Sequence, residues 1–191
     1  MKPFDRIITT DFETRWDSKD YTLSKMTTEE YIRDPQFETI GVAVKRNEEE
    51  TVWFSGTNAQ TKRWLQQWDW DNSVAVAHNA MFDMAILNWR YDIRPKRIAD
   101  TLSMLRAIDG PHAGNSLAKA VERYGLGEKG TEVINALGKR RLDFTDEDLE
   151  RYGEYCINDV ELTHKLFEVL APLTPVSELR LIDLTIRMFT E

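Results

Sequence analysis

Cysteine is nearly absent from this 191-residue chain. Cys156 stands alone, so no internal disulfide framework can hold the fold and an apolar core must do so. Basic charge is also short: 25 Lys and Arg stand against 33 Asp and Glu, a formal net charge of -8 at pH 7. That balance argues against a protein that grips duplex nucleic acid through a broad basic face. No apolar run approaches the roughly 20 residues of a membrane-spanning helix. Met1-Lys2-Pro3-Phe4-Asp5 leads straight into a strand pattern and has no resemblance to a signal peptide. Internal repeats and low-complexity segments are missing too. The expectation is a soluble protein of a reducing compartment, cytoplasmic, with no membrane partner. Hydrophobic residues at 41% and charged residues at 30% suit a packed domain and exclude disorder.

The first strand pattern, Ile7-Ile8-Thr9-Thr10-Asp11-Phe12-Glu13-Thr14, is β-branched and uninterrupted by Gly or Pro. Thr27 and Glu30 stand at capping-box spacing, which predicts a short helix that Pro35 ends. Residues 38–44 and 51–54 read as two further strands around the turn at 47–50, an antiparallel meander. The pattern then alternates. A helix is predicted over 57–68 with Trp64, Leu65 and Trp68 on its apolar side, and a buried strand over 73–77. That strand breaks into His78-Asn79-Ala80-Met81-Phe82-Asp83, and a helix follows through about Trp89, then a strand over 97–100 and a helix over 101–108. Trp64, Trp68 and Trp70 fit helix-to-sheet packing better than a base-stacking platform.

Asn115 or Ser116 caps a helix over 117–124, and Gly125 stops it. Residues 126–141 read as a mobile loop. Thr145 starts the longest helix, striped by Leu149, Tyr152, Cys156, Val160, Thr163 and Phe167 and closed by Pro172 and Pro175. A final amphipathic helix runs over 177–190 with Leu181, Leu184 and Met188 in line. The order predicts an α/β fold, a mixed five-stranded sheet flanked by helices.

Alternation along a strand turns Asp11 and Glu13 to one face. Two adjacent carboxylates repel one another and resist desolvation, and hard divalent cations with oxygen ligands, Mg2+ or Mn2+, relieve both penalties. A strand end whose acids meet water shows the same short pattern, so other residues must decide. Asp83 falls in the first turn of a helix after a buried strand, where sites of open α/β sheets gather. Asn79 lies four residues before it. Tyr155 and Asp159 share one face of the long helix at i, i+4 spacing. Acids and a phenol so placed suit two-metal phosphoryl chemistry.

Asp11-Phe12-Glu13, Asn79-Ala80-Met81-Phe82-Asp83 and Tyr155-Cys156-Ile157-Asn158-Asp159 resemble, in order, the three motifs of the DEDD exonuclease superfamily. Tyrosine four residues before Asp159 is similar to the tyrosine branch, which includes the proofreading domain of phage-type family A DNA polymerases. The histidine branch places His one residue earlier, where this chain has Glu154.

The resemblance implies a ribonuclease H-like fold and two divalent ions, Mg2+ or Mn2+. Under it Asp11 bridges both ions, Glu13 and Asp159 complete one, and Asp83 holds the other largely through water. Tyr155 positions the attacking water, Phe12 presses on the terminal nucleotide, and Asn79 and Phe82 contact the strand. Nucleoside 5'-monophosphates would leave from the 3' end of single-stranded DNA. Localisation would be the host cytoplasm if the chain is phage-encoded. Residues 1–175 would form the exonuclease domain, and 176–191 a helix at the junction to a polymerase domain or subunit.

Two readings compete with this one, an RNA 3'-processing nuclease of the same superfamily and a catalytically silent domain that binds a polymerase or primer strand. Asp100 reads as a structural acid and His78 as a satisfied buried polar group. Cys156 reads as core, and His112 and His164 have no evident partner. Lys129, the run Lys139-Arg140-Arg141 and the group Arg94, Lys96, Arg97 are available for phosphates, though such runs are more often a solvated face.

Overall fold

The computed structural model describes residues 6–131 and 135–191. Its centre is a five-stranded sheet in the order β3-β2-β1-β4-β5. Strand β1 (Ile7–Thr14) runs antiparallel to β2 (Thr39–Arg46), which pairs antiparallel with β3 (Val52–Phe54). On its other side β1 lies parallel to β4 (Val74–Ala77), and β4 parallel to β5 (Arg97–Asp100). The mixed sheet expected from the pattern is present.

Between and after the strands lie α1 (Thr28–Arg33), α2 (Asn58–Leu65), α3 (Ala80–Tyr91), α4 (Thr101–Ile108), α5 (Leu117–Arg123), α6 (Asp146–Leu170) and α7 (Val176–Thr190). Thr27 and Glu30 close the expected capping box on α1, and Ser116, rather than Asn115, caps α5. Thr145 Oγ1 accepts from the Asp148 backbone N–H at 3.1 Å and starts α6. No helix among the described residues is long and apolar enough to cross a membrane.

The alternation of β1 sorts the two layers. Asp11 faces α6, where Cys156 meets it, while Phe12 turns to the opposite face and stacks on Tyr91 of α3 at 6.1 Å. Helix α6 crosses β1, β2 and β3 closely because two glycines make room. Any Cβ on Gly41 of β2 or Gly153 of α6 would strike the ring of Trp53, which lies between them and stacks on Tyr152.

Two expectations need correction. Helix α2 ends at Leu65, not Trp68. The chain turns there so that Trp70 can bury itself and donate to the Leu65 carbonyl at 2.8 Å, while Trp68 meets Trp64 edge-on. The tryptophans do pack as core, with Trp64 stacked on Phe54 at 5.1 Å. In α7 the stripe Leu181, Leu184 and Met188 is exposed, and Ile182 and Ile186 are buried instead. That face covers β5 and packs on α3 and α4, and Asp183 Oδ1 accepts the edge-strand N–H of Ile98 at 2.7 Å. Part of the expected mobile loop, residues 132–134, lies outside the described residues.

Candidate active site

Strand β1 runs past the end of β4, so Asp11 and Glu13 stand where α3 begins and α6 crosses. Asp11, Phe12, Glu13, His78, Asn79, Phe82, Asp83, Lys129, Tyr155 and Asp159 line one open cavity of about 250 Å³. All three motifs therefore meet at one mouth.

Asp83 owes its place to a sharp turn. Asn79 is left-handed (φ 68°, ψ 51°), a conformation that asparagine tolerates better than most residues. Asp100, at the end of β5, holds the turn: its Oδ1 accepts from the N–H groups of Asn79 at 2.8 Å and Ala80 at 3.1 Å. The same carboxylate caps α4 through Leu102 and Ser103. Asp100 is thus the structural acid that was expected. His78 is satisfied by Thr101 Oγ1 at 2.8 Å and the Asn115 carbonyl at 3.0 Å. Asn79 is left exposed at the mouth and makes no side-chain cap bond. Phe82 is half-buried and tilts against Tyr31 at 6.0 Å.

The acids are held where ionisation is costly. Burial, then the charge of Asp159, raises the Asp11 carboxyl to about 7. Burial, then the charge of Asp11, pushes Asp83 well above the usual range, although its Oδ1 accepts the Phe12 N–H at 3.1 Å. Burial also raises Asp159, against the pull of Lys129, whose Nζ lies 2.8 Å from Asp159 Oδ2. The other oxygen of Asp159 is buried and has no hydrogen-bond partner among the described residues. Burial, then the charge of Asp159, raises the Tyr155 hydroxyl, and Lys129 Nζ lies 5.3 Å from the centre of its ring.

These observations test whether two divalent ions fit. The donors are carboxylate oxygens, the hard ligands that Mg2+ and Mn2+ take. Their mutual repulsion and desolvation are the penalties a cation relieves, and Asp159 Oδ1 lacks a partner that a cation would supply. The donor chemistry fits such ions, and Asp11, Glu13, Asp83 and Asp159 would be the residues to hold them.

Two details add to the sequence expectations. Cys156 is core, yet its Sγ lies 3.4 Å from both the carbonyl oxygen and Oδ2 of Asp11. Burial, then Asp11, raises the thiol well above its ordinary pKa, so it stays protonated and donates to Asp11. Phe12 is 5% exposed, and its ring stacks on Tyr91 on the face of β1 opposite Asp11. Strand alternation demands this, since Asp11 and Glu13 already occupy the open face. The run Lys139-Arg140-Arg141 lies elsewhere: Arg140 and Arg141 line a separate groove with Phe37 and Arg90, and Arg140 pairs with Glu38 at 3.3 Å. Arg97 lines a groove beside α7.

A 3'-5' exonuclease family model matches residues 27–175. The match starts after β1, so Asp11 and Glu13 join the matched motifs through the pairing of β1 with β2 and β4. No curated protein matches the chain. Among solved structures, NrnC of Brucella melitensis with bound Mg2+ superposes with a TM-score of 0.66 at 13% identity, over 96% of this chain and 81% of that one. RNase D of Trypanosoma brucei gives a TM-score of 0.74 at 14% identity, over 97% of this chain and 66% of that one. The family B DNA polymerase of Pyrobaculum calidifontis gives 0.60 at 17%, over 87% of this chain and 24% of that one. At these identities the likeness is one of fold.

Proposed function

The chain belongs to the 3'-5' exonuclease family, and from that premise we propose that it hydrolyses single-stranded DNA from the 3' end and releases nucleoside 5'-monophosphates. The observation that carries this reading is the meeting of Asp11, Glu13, Asp83, Tyr155 and Asp159 around one cavity open to solvent.

Exonucleases of the DEDD superfamily use two divalent metal ions. Bound ions supply an activated water and charge neutralisation at the leaving oxygen. In this chain Asp11, Glu13, Asp83 and Asp159 would hold them. The Cys156 thiol and the Phe12 N–H orient Asp11 and Asp83 respectively, so neither carboxylate has to reorganise during the reaction. Tyr155 orients the water through its hydroxyl, and the raised phenol stays protonated for that role. Asn79 and Phe82, at the rim, contact the terminal nucleotides. The acid-rich mouth disfavours a duplex and suits a frayed single strand whose phosphates meet the cations. In the same reading residues 1–175 are the catalytic domain, proofreading is the role, and the exposed stripe of α7 is the junction to a polymerase body.

One observation favours a second reading, an RNA 3'-end nuclease: one of the structural relatives is by name a ribonuclease, RNase D, at a TM-score of 0.74. Matched 5'-labelled DNA and RNA oligonucleotides of one sequence, digested with Mg2+, separate the two. Faster shortening of DNA with nucleoside 5'-monophosphate as product supports the first reading, and a preference for RNA overturns it.

A further inference from the structure

At the other end of β1 a second group of ligating side chains gathers around a buried histidine. His164 of α6 is 2% exposed. Its Nδ1 lies 2.9 Å from Thr9 Oγ1, and its Nε2 is buried with no hydrogen-bond partner among the described residues. A buried polar nitrogen left so costs free energy that a ligand would recover. The nitrogen faces Glu48, whose Oε1 is 4.0 Å away, and Glu168 lies one helical turn beyond His164. Ligand atoms of Glu48, His164 and Glu168 all come within 4.8 Å of one another.

Each ligand is placed by the fold. His164 and Glu168 share a helix face at i, i+4, a spacing that presents two donors to one point. Glu48 sits in the β2–β3 turn, which Asn47 fastens to β1: its N–H donates to the Ile7 carbonyl at 2.9 Å, and its Oδ1 accepts from Ile7 at 2.8 Å. Lys45, whose charge acts on this imidazole, is engaged with Glu161 at 2.9 Å and the Glu49 carbonyl at 2.7 Å. If Nδ1 donates to Thr9, Nε2 carries the lone pair, and a hydroxyl in that position is the kind of outer partner that fixes a metal-ligating imidazole.

We propose that Glu48, His164 and Glu168 form a site for one borderline divalent cation of the Zn2+ class, separate from the acids of the active site. One imidazole nitrogen and two carboxylates suit Zn2+, whereas Mg2+ prefers oxygen ligands alone. Bonds of about 2.0–2.1 Å require the carboxylates to close in, and both sit on flexible stems. A bound ion ties α6 to the β2–β3 turn and, through Thr9, to β1. It thereby braces the two elements that carry Asp159 and Asp11.

Full-length protein is dialysed against limiting Zn2+ in excess Mg2+, which occupies the all-oxygen acids, and retained Zn2+ is counted. One equivalent per chain is expected in wild type and in Asp11→Asn. His164→Gln and the surface pair Glu48→Gln/Glu168→Gln should each bind at least about tenfold more weakly. The pair keeps the test valid if the buried substitution unfolds the chain. The imidazole resonances of His164 should shift on addition of Zn2+ to the wild type. Equal retention in wild type and the Glu pair, loss of Zn2+ in Asp11→Asn alone, or unmoved His164 resonances would each overturn the proposal.

Discussion

Lys129 Nζ lies 2.8 Å from Asp159 Oδ2, while the buried Asp159 Oδ1 has no hydrogen-bond partner among the described residues. Burial works against the charge of Lys129, but Asp159 and Tyr155 outweigh it and hold its pKa above the usual value. Removing Lys129 should leave a mostly buried carboxylate without its cation. Lys129→Met should destabilise the chelator-treated protein by about 1–3 kcal/mol, discounted for the partial exposure of the lysine. Saturating Mn2+ should narrow the gap, because the ion supplies the missing charge. Thermal melts with and without Mn2+ measure this, and an equal loss in both conditions would count against a cation site at Asp159.

Asp11 gives the metal-free protein a distinctive pH dependence. Burial and Asp159 raise its pKa to about 7, above its ordinary 3.8. Between those values the fold keeps a proton that the unfolded chain releases, so this contribution to stability is complete below the ordinary pKa and is lost as pH rises towards 7. Burial lowers the pKa of His78 and His164, which gives the opposite slope below their ordinary 6.5. The diagnostic quantity is therefore a difference. Asp11→Asn should gain stability relative to wild type between pH 5 and pH 7.5 in chelator, as read by fluorimetric melting. A constant difference across that range would contradict the electrostatic account.

Gly153 should resist even the smallest side chain. Alanine in an ordinary helix interior is better than glycine by about 0.5–1 kcal/mol. Here the added Cβ would strike the Trp53 ring, so Gly153→Ala should cost about 1–3 kcal/mol instead. Denaturant titration gives the sign, and a stabilised variant would show that α6 can lift off β3 without loss.

Asp100→Ala should remove the acceptor that holds both the Asn79 turn and the start of α4. A loss of about 2–4 kcal/mol is expected, with a fall in activity in the folded fraction because Asp83 loses its register. Hydrogen exchange at the first amides of α3 would report the loosened turn. Unchanged protection there would show that the turn holds itself.

These tests probe features of unequal legibility. Strand β1 announced itself because its Ile-Ile-Thr-Thr run is local, and α4 over Thr101–Ile108 was legible because its Asp100 cap and amphipathic pattern agree. The three motifs could be read because each lies within five residues of chain. What resisted reading depends on contacts distant in sequence. Helix α7 carries apolar residues on two faces, and only the position of β5 and α3 selects Ile182 and Ile186 over Leu181 and Leu184. His164 meets Thr9 across 155 positions, and Cys156 meets Asp11 across 145. No local pattern encodes such pairs. The inward turn of Phe12 was implicit in strand alternation once Asp11 was placed outward.

The central claim is that Asp11, Glu13, Asp83 and Asp159 hold cations that drive hydrolysis from a 3' end. Digestion of a 5'-labelled single strand, with Mg2+ or Mn2+ and with chelator, beside Asp83→Asn and Tyr155→Phe, tests it most directly. The account predicts a ladder shortening from the 3' end only with metal, abolished in Asp83→Asn and slowed about 10²-fold or more in Tyr155→Phe. Cleavage that survives chelator, or well-folded wild-type protein that cuts neither DNA nor RNA with any metal, would contradict it.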